Sequence, residues 1–180
     1  VLGTLDETQL RFFDATATTL GPQELRSAAR VAQPPPKPEW RGCTFCPTMT
    51  SDPRIRLPAL VVMGKRAKLW EKSLLRERER CTEVAWSGGR LHRSSCGELE
   101  LDLDRQSTHL DAEYMASWLR RLATLKQQQL PNEHFIMIMD RASAHTSACS
   151  EELIAELAAF RFHVFFLRAR LTPFISPLDA

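Results

Sequence analysis

Two aspartates each follow an apolar run: Asp6 ends "VLGTLD" and Asp140 ends "FIMIMD". The run Phe135 to Met139 has no polar alternation, which suggests a strand covered on both faces, as at the centre of an α/β sheet. A carboxylate just past such a strand sits at the carboxyl edge of the sheet, where α/β proteins bind ligands. A structural role competes with this one, because Asp140 could equally cap the next helix or start a turn.

Other residues offer chemistry of different kinds. Cys43 and Cys46 form one C-x-x-C, half of a zinc site. No second pair follows at finger spacing, so a strand carrying two small semi-buried thiols is the preferred reading. The remaining cysteines, Cys81, Cys96 and Cys149, are scattered, and reduced thiols suit an intracellular setting. His145 either works beside Asp140 or pins the turn before the next helix. The segment Lys65 to Arg80 holds seven basic and three acidic residues. Lys65, Arg66, Lys68 and Lys72 are its candidates for DNA-backbone contact, against the plainer reading of a solvated helix face.

The elements that must position these groups follow from periodicity. Residues 1 to 5, "WRGCTFCPTMT" and "RLPALVVMG" read as three strands in meander order, the last two joined by the turn "SDPRI". Between the first two, a weak helical patch runs into the proline-rich connector from Gln33 to Pro38, which is extended. The stretch 65–108 is a basic insertion with little readable structure, and "WSGGR" and "LHRSSCG" look like loops. Tyr114, Met115, Trp118, Leu119, Leu122 and Leu125 form one stripe of an amphipathic helix with Asp111 as its cap. Ser150 caps a second helix whose Leu153, Ile154, Leu157 and Ala158 face one way. "FHVFFL" reads as a further apolar strand. The order is β-β-β, then α-β-α-β.

With 180 residues, the chain suits one domain. Its net charge of +2 requires any nucleic-acid contact to come from local patches. No apolar stretch approaches the ~20 residues of a membrane span. The absence of an initial methionine and the abrupt end "ISPLDA" read as a piece of a longer protein.

This order resembles the ribonuclease H-like architecture, in which the first and fourth strands lie side by side. The motifs are similar to those of the DDE superfamily transposases, in the pogo/Tigger/Jerky branch related to Tc1/mariner. "LDETQL" resembles the family's first motif. "GCTFCPTMTSDPRIRLPALVVMGKRAK" resembles its paired strands, "FIMIMDRASAHTS" its second acidic motif, and "FFLRARLTPFISPLDA" its third. The resemblance implies a mixed α/β ribonuclease H-like core over 1–180, lacking its final helix. It implies three acids, Asp6, Asp140 and Asp179, as catalytic residues and ligands of Mg²⁺ or Mn²⁺, with His145 and Arg141 as accessories. The partners implied are transposon-end and target DNA and a second copy of the chain, in the nucleus, with no membrane and no small-molecule substrate.

Departures from the family pattern fall around the acids. Arg141 stands where asparagine is usual, Ser143 replaces a proline, and "RARLTPF" replaces a proline–asparagine–threonine turn. Arg141 could pair with Asp140 and compete with a metal, or reach a DNA phosphate. Two functions are therefore expected to compete. One is a metal-dependent DNA endonuclease and strand-transfer core. The other is a domesticated, catalytically inactive nucleic-acid-binding relative resembling centromere protein B. An ordinary ribonuclease H-like nuclease is a third.

Overall fold

The computed structural model describes residues 1–5, 8–12, 41–63, 81–105 and 109–167. Within them the chain is mixed α/β, with two mixed sheets and three helices. The strands are β1 (Leu2–Leu5), β2 (Thr8–Phe12), β3 (Arg41–Cys46), β4 (Thr48–Thr50), β5 (Ala59–Met63), β6 (Thr82–Trp86), β7 (Gly89–Arg93), β8 (Leu99–Asp102), β9 (Phe135–Met139) and β10 (Phe162–Phe166). The helices are α1 (Ala112–Gln129), α2 (Ser143–Ala148) and α3 (Glu151–Ala159).

One sheet runs β10-β9-β1-β4 and the other β2-β3-β5-β8-β7-β6. Their antiparallel ladders keep one register: Leu5 faces Thr48 in the first sheet and Thr8 faces Phe45 in the second. β3 also pairs antiparallel with β5. The three strands expected from sequence thus pair in succession, but the second divides into β3 and β4, so the expected meander is split between the two sheets and β2 joins it unannounced. β9 lies parallel to β1, and β10 parallel to β9. Parallel neighbours need crossover connections, and α2 with α3 supplies the one between β9 and β10.

Helix α1 forms where the apolar stripe predicts it. Asp111 caps it, accepting from Tyr114 N at 2.8 Å, and Tyr114, Met115, Trp118, Leu119, Leu122 and Leu125 are all buried. Each such large side chain contributes about 1.5–3 kcal/mol when removed from water. Trp118 is fully buried and belongs to the core. Lys126 is buried in the last turn, where its Nζ donates to the carbonyls of Glu133 and Phe160. Those bonds tie the end of α1 to the approach of β9 and to the end of α3. Burial, with the charge of Arg161, lowers the Lys126 pKa.

Three expectations need correction. The stretch after Cys81, read as loop, forms the hairpin β6–β7 and then β8, which adds to β5 in parallel. Trp86 and Gly89 are paired across the two-residue turn Ser87–Gly88, and Gly89, the first residue of β7, takes a positive φ of 131°, which glycine adopts without steric cost. On α3 only Leu153 and Leu157 are buried. Ile154 is 49% exposed and Ala158 is exposed, because one narrow stripe suffices to dock this short helix. The apolar runs of β9 and β10 are covered on one face only: Phe135, Met137, Met139 and Phe162 are buried, while Ile136 and Phe165 are 38% and 57% exposed.

Candidate functional site

The parallel pairing of β1 with β9 runs from Leu2 opposite Ile136 to Leu5 opposite Met139. Leu5 and Met139 end their strands side by side, and the residue after each in sequence is an aspartate. Of those two, Asp140 is within the described residues. Asp6 and Asp179 lie outside them, as do Lys65, Arg66, Lys68 and Lys72.

Asp140 is held from two sides. Its Oδ1 accepts from Ala142 N at 3.1 Å, an Asx-type turn that leads into α2. Ala142, at the start of that helix, supplies no side-chain cap. Oδ1 also lies 2.5 Å from His145 Nδ1. The turn role anticipated for Asp140 is therefore real, and His145 belongs to it. Oδ2 makes no hydrogen bond among the described residues, and the side chain keeps 29% of its surface exposed.

His145 is fully buried. A carboxylate oxygen facing Nδ1 assigns the ring proton to that nitrogen. Nε2 is then a buried acceptor with no partner among the described residues. The expected companion histidine thus acts on the acid itself, packed beneath it. Arg141 is exposed, and no ion pair joins it to Asp140. Its proposed competition with a metal for that carboxylate is not what the contacts show.

Cys43 and Cys46 are both buried within β3. Burial pushes the Cys43 thiol above its ordinary pKa, away from the thiolate that zinc requires. The burial of both thiols within β3 is what the strand reading expects. Among the described residues no three His, Cys, Asp or Glu side chains are arranged to hold a metal ion. No helix among them is long and apolar enough to cross a membrane.

A polar cluster that the sequence reading missed sits on β8. Glu100 is fully buried. Its Oε1 accepts from Arg93 at 2.5 Å and from Arg121 Nη2 at 2.8 Å, and its Oε2 accepts from Arg121 Nε at 3.2 Å. Two residues on, Asp102 accepts from the Tyr114 hydroxyl at 2.6 Å. Burial and that carboxylate raise the Tyr114 pKa. The signal was the strict alternation of "ELELDLD", which marks a strand. It misleads about orientation, because here the acids face α1 and the leucines do not. Each carboxylate oxygen of Glu100 and Asp102 accepts from an arginine, a tyrosine or a backbone amide, so the cluster serves structure.

No protein-family model, no curated protein and no solved structure matches this chain.

Proposed function

We propose that the chain is the ribonuclease H-like core of a DDE-type DNA transposase of the pogo/Tigger/Jerky group, a metal-dependent endonuclease and strand-transfer enzyme. The observation that carries this reading is the side-by-side ending of β1 and β9 at Leu5 and Met139, each followed in sequence by an aspartate. The sheet order β10-β9-β1-β4, in which β1 is antiparallel to β4 and parallel to β9, and β9 parallel to β10, supports it. In-line phosphoryl transfer on DNA needs acids gathered so that two Mg²⁺ ions can stand about 3.5–4 Å apart. Asp6, Asp140 and Asp179 are the acids in this reading. Asp140 offers a metal its Oδ2, since Oδ1 is engaged by Ala142 N and His145. Lys65, Arg66, Lys68 and Lys72 would track DNA phosphates, in a nuclear protein acting on transposon ends and target as a dimer.

A second reading is the domesticated relative, which keeps the fold to bind nucleic acid without cutting it. The commitment of one Asp140 oxygen to a turn and a buried histidine favours it, since the supporting groups of a carboxylate decide how it presents to a metal. Nicking of supercoiled DNA with Mg²⁺ or Mn²⁺, by protein from the full reading frame, separates the two. The enzyme reading expects nicking that is lost in Asp6→Asn, Asp140→Asn and Asp179→Asn alike. DNA binding without nicking, unchanged by any of the three, overturns it in favour of the second.

A further inference from the structure

A second pair of chemically capable residues stands at the opposite end of β9 from Asp140. His134 immediately precedes β9, and His163 is the second residue of β10. His163 is the register partner of Ile136, two residues on from His134. Both histidines therefore project from the same sheet face, as diagonal neighbours on adjacent parallel strands. That face is the one turned away from the buried Phe135 and Phe162, and both side chains are exposed.

Their geometry is more specific than proximity. His134 Nδ1 lies 3.0 Å from His163 Nε2, with the rings only 13° from parallel and their centroids 5.3 Å apart. That centroid separation is the nitrogen–nitrogen gap plus one ring radius at each end. The rings therefore meet edge to edge in nearly one plane, each nitrogen aimed at the other. One of the two carries the proton and the other accepts it. Neither histidine has a carboxylate within ion-pairing distance among the described residues.

We propose that His134 and His163 form a two-histidine binding site for a borderline transition-metal dication of the zinc, nickel and copper class. Imidazole nitrogen suits those ions, whereas Mg²⁺ demands hard oxygen ligands. Two Zn–N bonds of about 2.0–2.1 Å at a tetrahedral angle set their nitrogens about 3.3 Å apart. The pair is within a few tenths of an ångström of that spacing, and solvent exposure lets both rings tilt until their lone pairs converge. The proton balance is simple. The donor ring moves its N–H to its other nitrogen, both facing nitrogens then bind the ion, and no proton is released from two neutral rings. Water fills the remaining positions. The site is about 20 Å along the strand from Asp140, so it stands whether or not the aspartates hold Mg²⁺.

The test is a Zn²⁺ titration followed by imidazole ¹H–¹⁵N correlation spectra. His134 and His163 are expected to shift together and saturate at one equivalent, while Mg²⁺ moves neither. His163→Ala and, separately, His134→Ala should weaken Zn²⁺ binding at least tenfold and leave the partner imidazole unshifted. Both positions are exposed, and an amide spectrum matching that of the parent chain checks that each variant is folded. His163→Gln, close in size and still polar, serves as the replacement should the alanine variant unfold. Independent titration of the two rings, undiminished affinity in a folded variant, or Zn²⁺ taken up by the cysteines with both rings unmoved would each overturn the proposal.

Discussion

His145 Nδ1 lies 2.5 Å from Asp140 Oδ1, with the imidazole wholly buried and the carboxylate partly open to solvent. A buried ring under a half-exposed acid fixes one oxygen and leaves the other available. His145→Ala removes that bond and opens a void beneath the turn. Losing a hydrogen bond to a charged group costs about 1.5–3 kcal/mol. Urea unfolding should show a loss of that order, and Mg²⁺ affinity should fall roughly 10–100-fold where the carboxylate serves as a ligand. A stability change under about 0.5 kcal/mol would mean the contact is not made in solution.

Gly3 and Phe135 depend on each other. A Cβ on Gly3 would stand 2.3 Å from Phe135 Cζ and 2.8 Å from its Cε1. The Phe135 ring has little room to yield, since it packs on Phe162 with centroids 5.1 Å apart. Gly3→Ala should therefore cost about 1–3 kcal/mol through overpacking. In Phe135→Leu, whose side chain lacks the clashing atoms, the same substitution should cost clearly less. A double-mutant cycle checks this, and additive costs would refute the clash.

The buried Glu100 carboxylate holds two arginines that keep part of their side chains in solvent, 34% for Arg93 and 13% for Arg121. Glu100→Ala would leave Arg93 and Arg121 facing each other without their carboxylate. Removing one partner of a buried ion pair costs about 3–5 kcal/mol, so this should be among the most damaging single changes in the β7–β8–α1 region. Glu100→Gln, which keeps the shape and one carbonyl acceptor, should cost less. Thermal unfolding of both variants decides it: equal tolerance of both would show that the Glu100 charge does not hold the two arginines in solution.

The parts of this fold legible in the sequence are those where one local signal decides. Asp111 and Ser150 cap their helices as their types and positions predict, with side-chain bonds from Tyr114 N and Leu153 N. The strand "FIMIM" was found, but its apolar run could not say that Ile136 faces outward, because that depends on what else covers the sheet. β6 to β8 were missed because "WSGGR" carries a turn signal that masked the strands on either side of it. The pairing of Asp140 with His145 was half visible. Spacing put the two on one turn, but the burial of the imidazole depends on how α2 docks beside α1, which no local pattern encodes. β2 was missed too, since its residues Thr8–Phe12 lead into the weakly helical stretch.

Asp52 closes the turn between β4 and β5 and gives this region a pH dependence. Its Oδ1 accepts from Arg54 N at 2.9 Å, and its Oδ2 accepts from Arg54 Nη2 at 2.6 Å. The turn is completed by Ile55 N donating to Asp52 O at 3.2 Å and by the Thr50 hydroxyl donating to Ile55 O at 3.0 Å. The Arg54 side chain, and then its backbone amide, hold the Asp52 carboxyl at about 2 against an ordinary 3.8. A depressed folded-state value means the ionised form favours the folded turn. Its contribution is fully present above the unfolded value and is lost as the pH falls through about 2. Carboxyl ¹³C NMR should give Asp52 a midpoint near 2, with the Arg54 and Ile55 amides following the same titration. In Arg54→Ala the midpoint should climb back toward 3.8, while the amide of residue 54 still donates and keeps it from arriving fully. A midpoint near 3.8 in the parent chain would show that the guanidinium does not engage this carboxylate, and the turn would then rest on its backbone bonds and Thr50 alone.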